Sequence, residues 1–93
     1  MNSYSVYVVR CSDGTLYTGV AQDVKQRIKE HNSGGALGAK YTRSRTPVQL
    51  AYREDGYTHG EALSREYVVK QLTRMEKEKL IRVRKTPRRK RVV

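Results

Sequence analysis

The sequence predicts a small α+β fold: a three-stranded, largely antiparallel sheet flanked by helices, in the order β-β-α-β-α-α. Three observations carry this. Residues 4–10 and 15–20 are rich in β-branched and aromatic side chains, and Ser12-Asp13-Gly14 between them is a hairpin signal. Residues 48–54, Val48-Gln49-Leu50-Ala51-Tyr52-Arg53-Glu54, alternate as a third strand should, and Asp55-Gly56 ends it. The remaining stretches carry helix caps and helical spacing. There are no internal repeats and no linker. The 93 residues are therefore expected to form one domain over residues 1–83, with a disordered basic tail over 84–93.

The first helix opens at Asp23, an N-cap residue with Gln26 three positions on, and stops at Ser33-Gly34-Gly35. Its inner stripe is Val24, Arg27, Ile28 and His31. Arg27 and His31 lie one turn apart, so their heads point into one region. An arginine on a sheet-facing stripe is costly unless something anionic meets it. The plainer alternative has Arg27 snorkelling to solvent and His31 merely capping the helix.

The second strand, residues 15–20, contains Tyr17, Thr18 and Gly19, and the first contains Ser5, Val6 and Tyr7. A two-residue Asp13-Gly14 loop would put Tyr7 and Tyr17 on opposite faces. A three-residue loop with a left-handed Gly14 pairs Tyr7 with Gly19 and Val9 with Tyr17, so both tyrosines share a face. A common site for the two tyrosines requires the second register.

Ser5-Val6-Tyr7, Tyr17-Thr18-Gly19, Arg27, His31-Asn32 and a later helical glutamate together resemble the core of the GIY-YIG nuclease domain. The likeness covers about residues 4–72 and is nearest to the small stand-alone bacterial proteins of that superfamily, the UPF0213 (YhbQ-like) group. Ser5 stands where the first motif has glycine, Val6 where it has isoleucine, and Thr18 where the second motif has isoleucine. Where such domains often carry a late asparagine, Glu78 stands near the expected place.

Lys and Arg number 20 against nine acidic residues, a net charge of +11. Six of the basic groups, and no acid, fall in residues 84–93, so the rest of the chain still carries +5. That balance favours a polyanion, most simply nucleic acid. The connection from Gly34 to Pro47 is Gly-rich and then basic and aromatic. Lys40, Arg43 and Arg45 are suited to phosphates there, and Tyr41 to stacking on a base. No apolar run is long enough for a membrane span or a signal peptide. Cys11 is single, so it reads as a small packing residue. A cytoplasmic protein with no membrane and no small-molecule cofactor is expected. A partner protein is not indicated.

Thr58 to Glu61 is a capping box for a helix over about 61–72, with His59 exposed in its first turn. Ala62, Leu63, Tyr67 and Val69 make an apolar arc around Glu66. Glu66 reads either as the family's metal-binding glutamate, by residue match, or as a surface partner of Lys70. A last helix over about 73–83 turns Met75, Leu80 and Ile81 inward.

The resemblance implies a metal-dependent endonuclease that hydrolyses phosphodiester bonds in DNA, in DNA repair or recombination. Glu66 would hold one Mg²⁺ or Mn²⁺. Arg27 would grip the scissile phosphate, Tyr7 or Tyr17 would act as the base, and His31 would share proton traffic. The alternative is a nucleic-acid-binding module that keeps the fold without turnover. A protein-interaction adaptor is a third class, and it leaves the inward Arg27, His31 and Glu66 unexplained.

Overall fold

A computed structural model describes residues 3–33 and 39–84. The elements are β1 (Tyr4–Arg10), β2 (Leu16–Ala21), α1 (Val24–Asn32), β3 (Gln49–Tyr57), α2 (His59–Gln71) and α3 (Arg74–Arg84). The strands form one antiparallel sheet in the order β2-β1-β3. The predicted α+β architecture is present. The basic tail beyond Arg84 lies outside the described residues, as does the Gly-rich stretch 34–38.

The central strand explains its own sequence. Val6, Tyr7, Val8 and Val9 are all essentially inaccessible, so β1 is covered on both faces and its pattern is a continuous run rather than an alternation. On one face Val6 and Val8 pack with Tyr52 and with Ala62, Val69 and Ile81 of α2 and α3. On the other, Tyr7 and Val9 pack with Cys11, Val48 and Val24, with Tyr17 and Ile28 alongside.

The hairpin takes the three-residue loop. Cys11 N–H donates to the Thr15 carbonyl at 2.8 Å, Gly14 N–H donates to the Cys11 carbonyl at 2.9 Å, and Gly14 has φ 86°. Asp13 Oδ1 accepts from the Thr15 amide and hydroxyl at 3.1 and 2.6 Å. The register pairs Tyr7 with Gly19 and Val9 with Tyr17, which puts both tyrosines on the α1 face.

Three expectations need correction. The third strand does not end at Asp55-Gly56 but runs on to Tyr57. Gly56, at φ 89°, sits where the pairing with β1 slips by one residue between Tyr4 and Val6. The glycine makes a bulge inside the strand instead of a turn after it. On α2 only Ala62 and Val69 of the expected arc are buried; Leu63 and Tyr67 are 47% and 67% exposed. Ala62 and Val69 are the part of the arc that meets the sheet, packed with Val6 and Val8 of β1. On α3, Ile81 is buried but Met75 is 79% exposed, since Met75 sits in the first turn, ahead of the part that reaches the sheet.

Two ion-pair clusters tie the helices to the sheet. Glu54 of β3, almost buried, accepts from Arg65 Nε and Nη2 of α2, both at 2.8 Å, from the Tyr57 hydroxyl at 2.7 Å, and from the Tyr52 hydroxyl. Although burial pushes the Glu54 carboxyl upward, Arg65 and the two tyrosines outweigh it and hold it down at about 2. Glu78 of α3 takes a two-pronged contact from Arg10, 2.8 Å on each oxygen, and another at 2.9 Å from Arg74. Glu78 therefore locks α3 to the end of β1. The capping box at the start of α2 is complete: Glu61 N–H donates to Thr58 Oγ1 and Thr58 N–H to Glu61 Oε1.

Among the described residues, one buried polar atom is left over. Thr18 Oγ1, opposite Val8 on the α2 face, has no hydrogen-bond partner. An unpaired buried hydroxyl costs roughly 1–3 kcal/mol. Thr18→Val keeps the shape and removes the group, so chemical denaturation should show a gain of about 1 kcal/mol. A loss of stability would mean that the hydroxyl is satisfied in solution. Among the described residues, no helix is long and apolar enough to cross a membrane.

Candidate active site

The site is assembled on the α1 face at the hairpin. Asp23 caps α1, accepting from Gln26 N–H at 3.0 Å, and this sets the phase of the helix. Val24 is then buried against the sheet with Ile28 beside it, and His31, two turns on from Val24, is fully buried. His31 is not a helix cap. Its Nε2 lies 2.9 Å from the Tyr7 hydroxyl, its Nδ1 2.8 Å from Thr42 Oγ1, and its ring stands edge-on to Tyr17, centroids 5.5 Å apart.

Arg27 does not snorkel free. Its Nη1 pairs with Glu30 at 2.9 Å and its side chain is 29% exposed. Its charge also acts on the Tyr7 hydroxyl, favouring the ionised phenol against burial. The Tyr7 oxygen thus has the His31 imidazole at 2.9 Å and the guanidinium charge nearby.

Gly19 makes room for this. A Cβ at residue 19 would lie 2.5 Å from the Tyr7 hydroxyl oxygen and 2.7 Å from its Cζ. The Tyr7 side chain crosses β2 at the one residue without a side chain. The glycine of the second motif is therefore a contact requirement, not a turn.

Burial, chiefly, and then the neighbouring Tyr17 push the Tyr7 hydroxyl up to about 12; Arg27 opposes them, and the Glu66 carboxylate adds a small upward push. His31 is lowered from the ordinary imidazole range, first by burial and then by the Arg27 charge, so it is neutral at neutral pH. Glu66 is mostly covered, 20% exposed, and its Oε2 pairs with Lys70 at 3.2 Å. Its charge reaches Tyr7 from α2.

Residues 39–48 of the connection after α1 pack against Tyr17. Tyr41 stacks on Tyr17, centroids 5.7 Å apart, and the Arg45 guanidinium lies 4.1 Å from the Tyr41 ring centre. Arg45 also pairs with Asp13 at 3.0 Å and donates to the Tyr41 carbonyl at 2.7 Å. Its main chain accepts from Ser12 N–H at 2.9 Å. Asn32 fastens the end of the loop, exchanging two hydrogen bonds with the Val48 backbone at 3.0 and 2.6 Å.

Of the nine residues singled out from the sequence, Tyr7, Tyr17, Arg27, His31 and Tyr41 come together here. Glu66 stands across from them, within reach of the Tyr7 hydroxyl through its charge. Lys40 and Arg43 are exposed on the loop. Arg45 is different in kind: Asp13, Tyr41 and the Tyr41 carbonyl already engage it, so it clamps the loop. Thr42 and Glu30 had no signal in the sequence. Thr42 reaches His31 from a loop with no periodicity, and Glu30 becomes Arg27's partner through i, i+3 spacing, which surface residues share widely.

Residues 3–79 match the GIY-YIG catalytic domain. The chain belongs to the GIY-YIG family. A UPF0213 protein of Staphylococcus aureus is 54% identical over 84 residues, 90% of this chain and all of that relative. The solution NMR structure of the UPF0213 protein of Bacillus halodurans is 45% identical and superposes with a TM-score of 0.57, covering 94% of this chain and 89% of that one. A solution NMR structure from E. faecalis is 36% identical with a TM-score of 0.60, covering 94% and 91%. This GIY-YIG chain therefore sits in the UPF0213 branch, and its domain is of the nuclease type. Its fold agrees with those NMR structures.

Divalent metals generally serve domains of this family. Among the described residues, no three His, Cys, Asp or Glu side chains cluster to form a ready-made metal cage. Glu66, whose charge reaches the Tyr7 hydroxyl from α2, supplies one hard oxygen donor. A single carboxylate fits a cation such as Mg²⁺, which keeps most of its waters and shares substrate oxygens.

Proposed function

We propose that this GIY-YIG protein is an endonuclease that hydrolyses phosphodiester bonds in DNA, with Tyr7, Arg27, His31 and Glu66 as its working residues. One observation carries the reading: the Tyr7 oxygen lies 2.9 Å from His31 Nε2, with the Arg27 charge acting on it, on the same face as Tyr17. Hydrolysis joins a water oxygen to phosphorus, breaks the bond to the leaving oxygen, and sends the water's proton to a base. Tyr7 is that base once it has lost its own proton. Arg27 and His31 surround the oxygen on which the negative charge then rests. Arg27, a planar two-pronged donor, is suited to a phosphate arriving beside Tyr7. Tyr17 borders the same space and orients the water. Glu66 would hold Mg²⁺ or Mn²⁺, which when bound supplies positive charge to the phosphate and lowers the pKa of nearby groups.

In the free protein Tyr7 sits at about 12. Its ionisation therefore waits for added positive charge, which a bound cation would supply against the negative charge of the substrate phosphate. The same value favours the second reading, a binding module without turnover. Lys40 and Arg43 present two cations and Tyr41 an aromatic edge on the loop beside the site, and the net charge of +11 gives general affinity for phosphate backbones. A setting in DNA repair or recombination, in the cytoplasm, belongs to the same proposal.

The test is incubation with plasmid, single-stranded and branched DNA, and with RNA, in Mg²⁺, Mn²⁺ or EDTA, beside Glu66→Gln. Cleavage of DNA is expected with metal and none with EDTA. Glu66→Gln should lose cleavage while keeping the wild-type melting transition. If Glu66→Gln cuts as fast as wild type, Glu66 is not the ligand. If no substrate is cut in either metal, the binding-module reading stands.

A further inference from the structure

The buried imidazole has two faces, and the loop side decides what the other side does. Nδ1 of His31 meets two groups: Thr42 Oγ1 at 2.8 Å and the Ala39 N–H at 3.4 Å. A backbone N–H only donates, so the nitrogen in front of it must present a lone pair. The Thr42 hydroxyl faces two acceptors: it donates to the Ala39 carbonyl at 3.1 Å and stands closer, at 2.8 Å, to Nδ1. That carbonyl also accepts from the Thr42 and Arg43 amides, both at 3.1 Å, whereas Nδ1, which the Ala39 N–H meets as an acceptor, is the nearer partner for the hydroxyl hydrogen. With Nδ1 unprotonated, a neutral imidazole carries its proton on Nε2. Nε2 then donates to the Tyr7 oxygen 2.9 Å away.

We propose that Thr42 is a positioning residue: with the Ala39 amide it fixes the tautomer of His31 that donates from Nε2 to Tyr7. The Tyr7 oxygen then receives a donor from His31 with the Arg27 charge acting on it, and its own hydrogen is free to leave outward, toward water. The opposite tautomer would make His31 an acceptor of the Tyr7 hydrogen and leave the tyrosinate facing a bare nitrogen lone pair. Thr42 lies between Tyr41 and Arg43, residues of the loop proposed to meet nucleic acid. The segment that would touch substrate is thus the one that sets the proton arrangement at Tyr7. The role of Thr42 in turnover rests on the nuclease reading; the tautomer of His31 does not.

The experiment therefore has two readouts on wild type, Thr42→Val and Thr42→Ser. The first is the ¹⁵N NMR signature of the His31 ring at neutral pH. Wild type and Thr42→Ser should carry the proton on Nε2, and Thr42→Val should show a mixture of tautomers. The second is single-turnover cleavage of DNA in Mn²⁺, where Thr42→Val should fall by at least about tenfold at saturating substrate with little change in half-saturation, and Thr42→Ser should restore it. A wild-type His31 protonated on Nδ1 overturns the proposal outright, whether or not Thr42→Val folds. So does a Thr42→Val protein with wild-type tautomer and wild-type rate. If wild type cuts nothing, the nuclease reading fails, and the NMR arm still decides the tautomer.

Discussion

Arg27→Ala should lower single-turnover cleavage by roughly 10²–10³-fold while changing affinity for the same DNA only slightly. Removing one positioned donor to developing charge typically costs ~3 kcal/mol in the transition state. Arg27 has two ways to contribute that much. It can meet the phosphate, whose charge grows as the bond to the leaving oxygen breaks, so the interaction strengthens along the reaction. Its charge also acts on the Tyr7 hydroxyl and opposes the upward push of burial there, so without it Tyr7 is harder to ionise. Binding is different, because one phosphate contact is one among many on so basic a chain. Arg27→Lys separates charge from shape. A lysine keeps the charge but cannot reach Tyr7 and a phosphate with one planar fork, so it too should lose most of the rate. The loss of the Glu30 pair is a minor matter, since a partly exposed ion pair contributes little to stability. The measurement is cleavage and equilibrium binding at one fixed salt for wild type, Ala and Lys. Equal proportional losses in rate and affinity would make Arg27 a plain binding residue. An unchanged rate would remove it from the site.

The fold was largely legible because its signals are local. The run of residues 4–10, the left-handed Gly14 of a three-residue loop and the caps at Asp23 and Thr58 each act within a few residues. They gave the hairpin, two candidate registers for the tyrosines and the phase of α1, and that phase turned Arg27 and His31 inward. What stayed hidden is non-local. Thr42 meets His31 from a loop, Arg45 is consumed by Asp13 across 32 positions of sequence, and Tyr41 is already stacked on Tyr17. No spacing rule reports such contacts. Composition marks Arg45 as a phosphate ligand, whereas geometry makes it a clamp. Leu63, Tyr67 and Met75 went wrong for a related reason: an apolar residue on a wheel is inward only if a second element stands opposite it. Asp55-Gly56 misled because a left-handed glycine serves a bulge as readily as a turn.

The largest effect on stability is expected at Glu54. Its carboxylate is almost buried and takes both prongs of Arg65 together with the Tyr52 and Tyr57 hydroxyls. Its pKa falls from an ordinary 4.5 to about 2 in the folded chain. A depressed folded-state pKa means stability that is fully present above the unfolded value and lost as pH falls through the folded one. Between pH 4.5 and about 2 this residue alone should therefore remove about 3 kcal/mol. Small domains of this size have 5–15 kcal/mol in all, to order of magnitude (about 0.1 kcal/mol per residue), so the change is large enough to bring acid unfolding into view. Glu78 is held down as well, to about 2, by Arg10 and then Arg74, and it titrates across the same window. Glu54→Gln isolates the buried group. It keeps the volume, leaves Arg65 facing a neutral amide, and should cost about 3 kcal/mol at neutral pH. Its acid limb should be shallower than that of wild type, because the proton Glu54 would take up has no place to bind. Urea unfolding of wild type and Glu54→Gln from pH 2 to 7 gives both curves. They should converge as the pH approaches 2. Parallel curves across the whole range would show that Glu54 does not carry the acid transition, and that the Arg65 pair contributes through shape rather than charge.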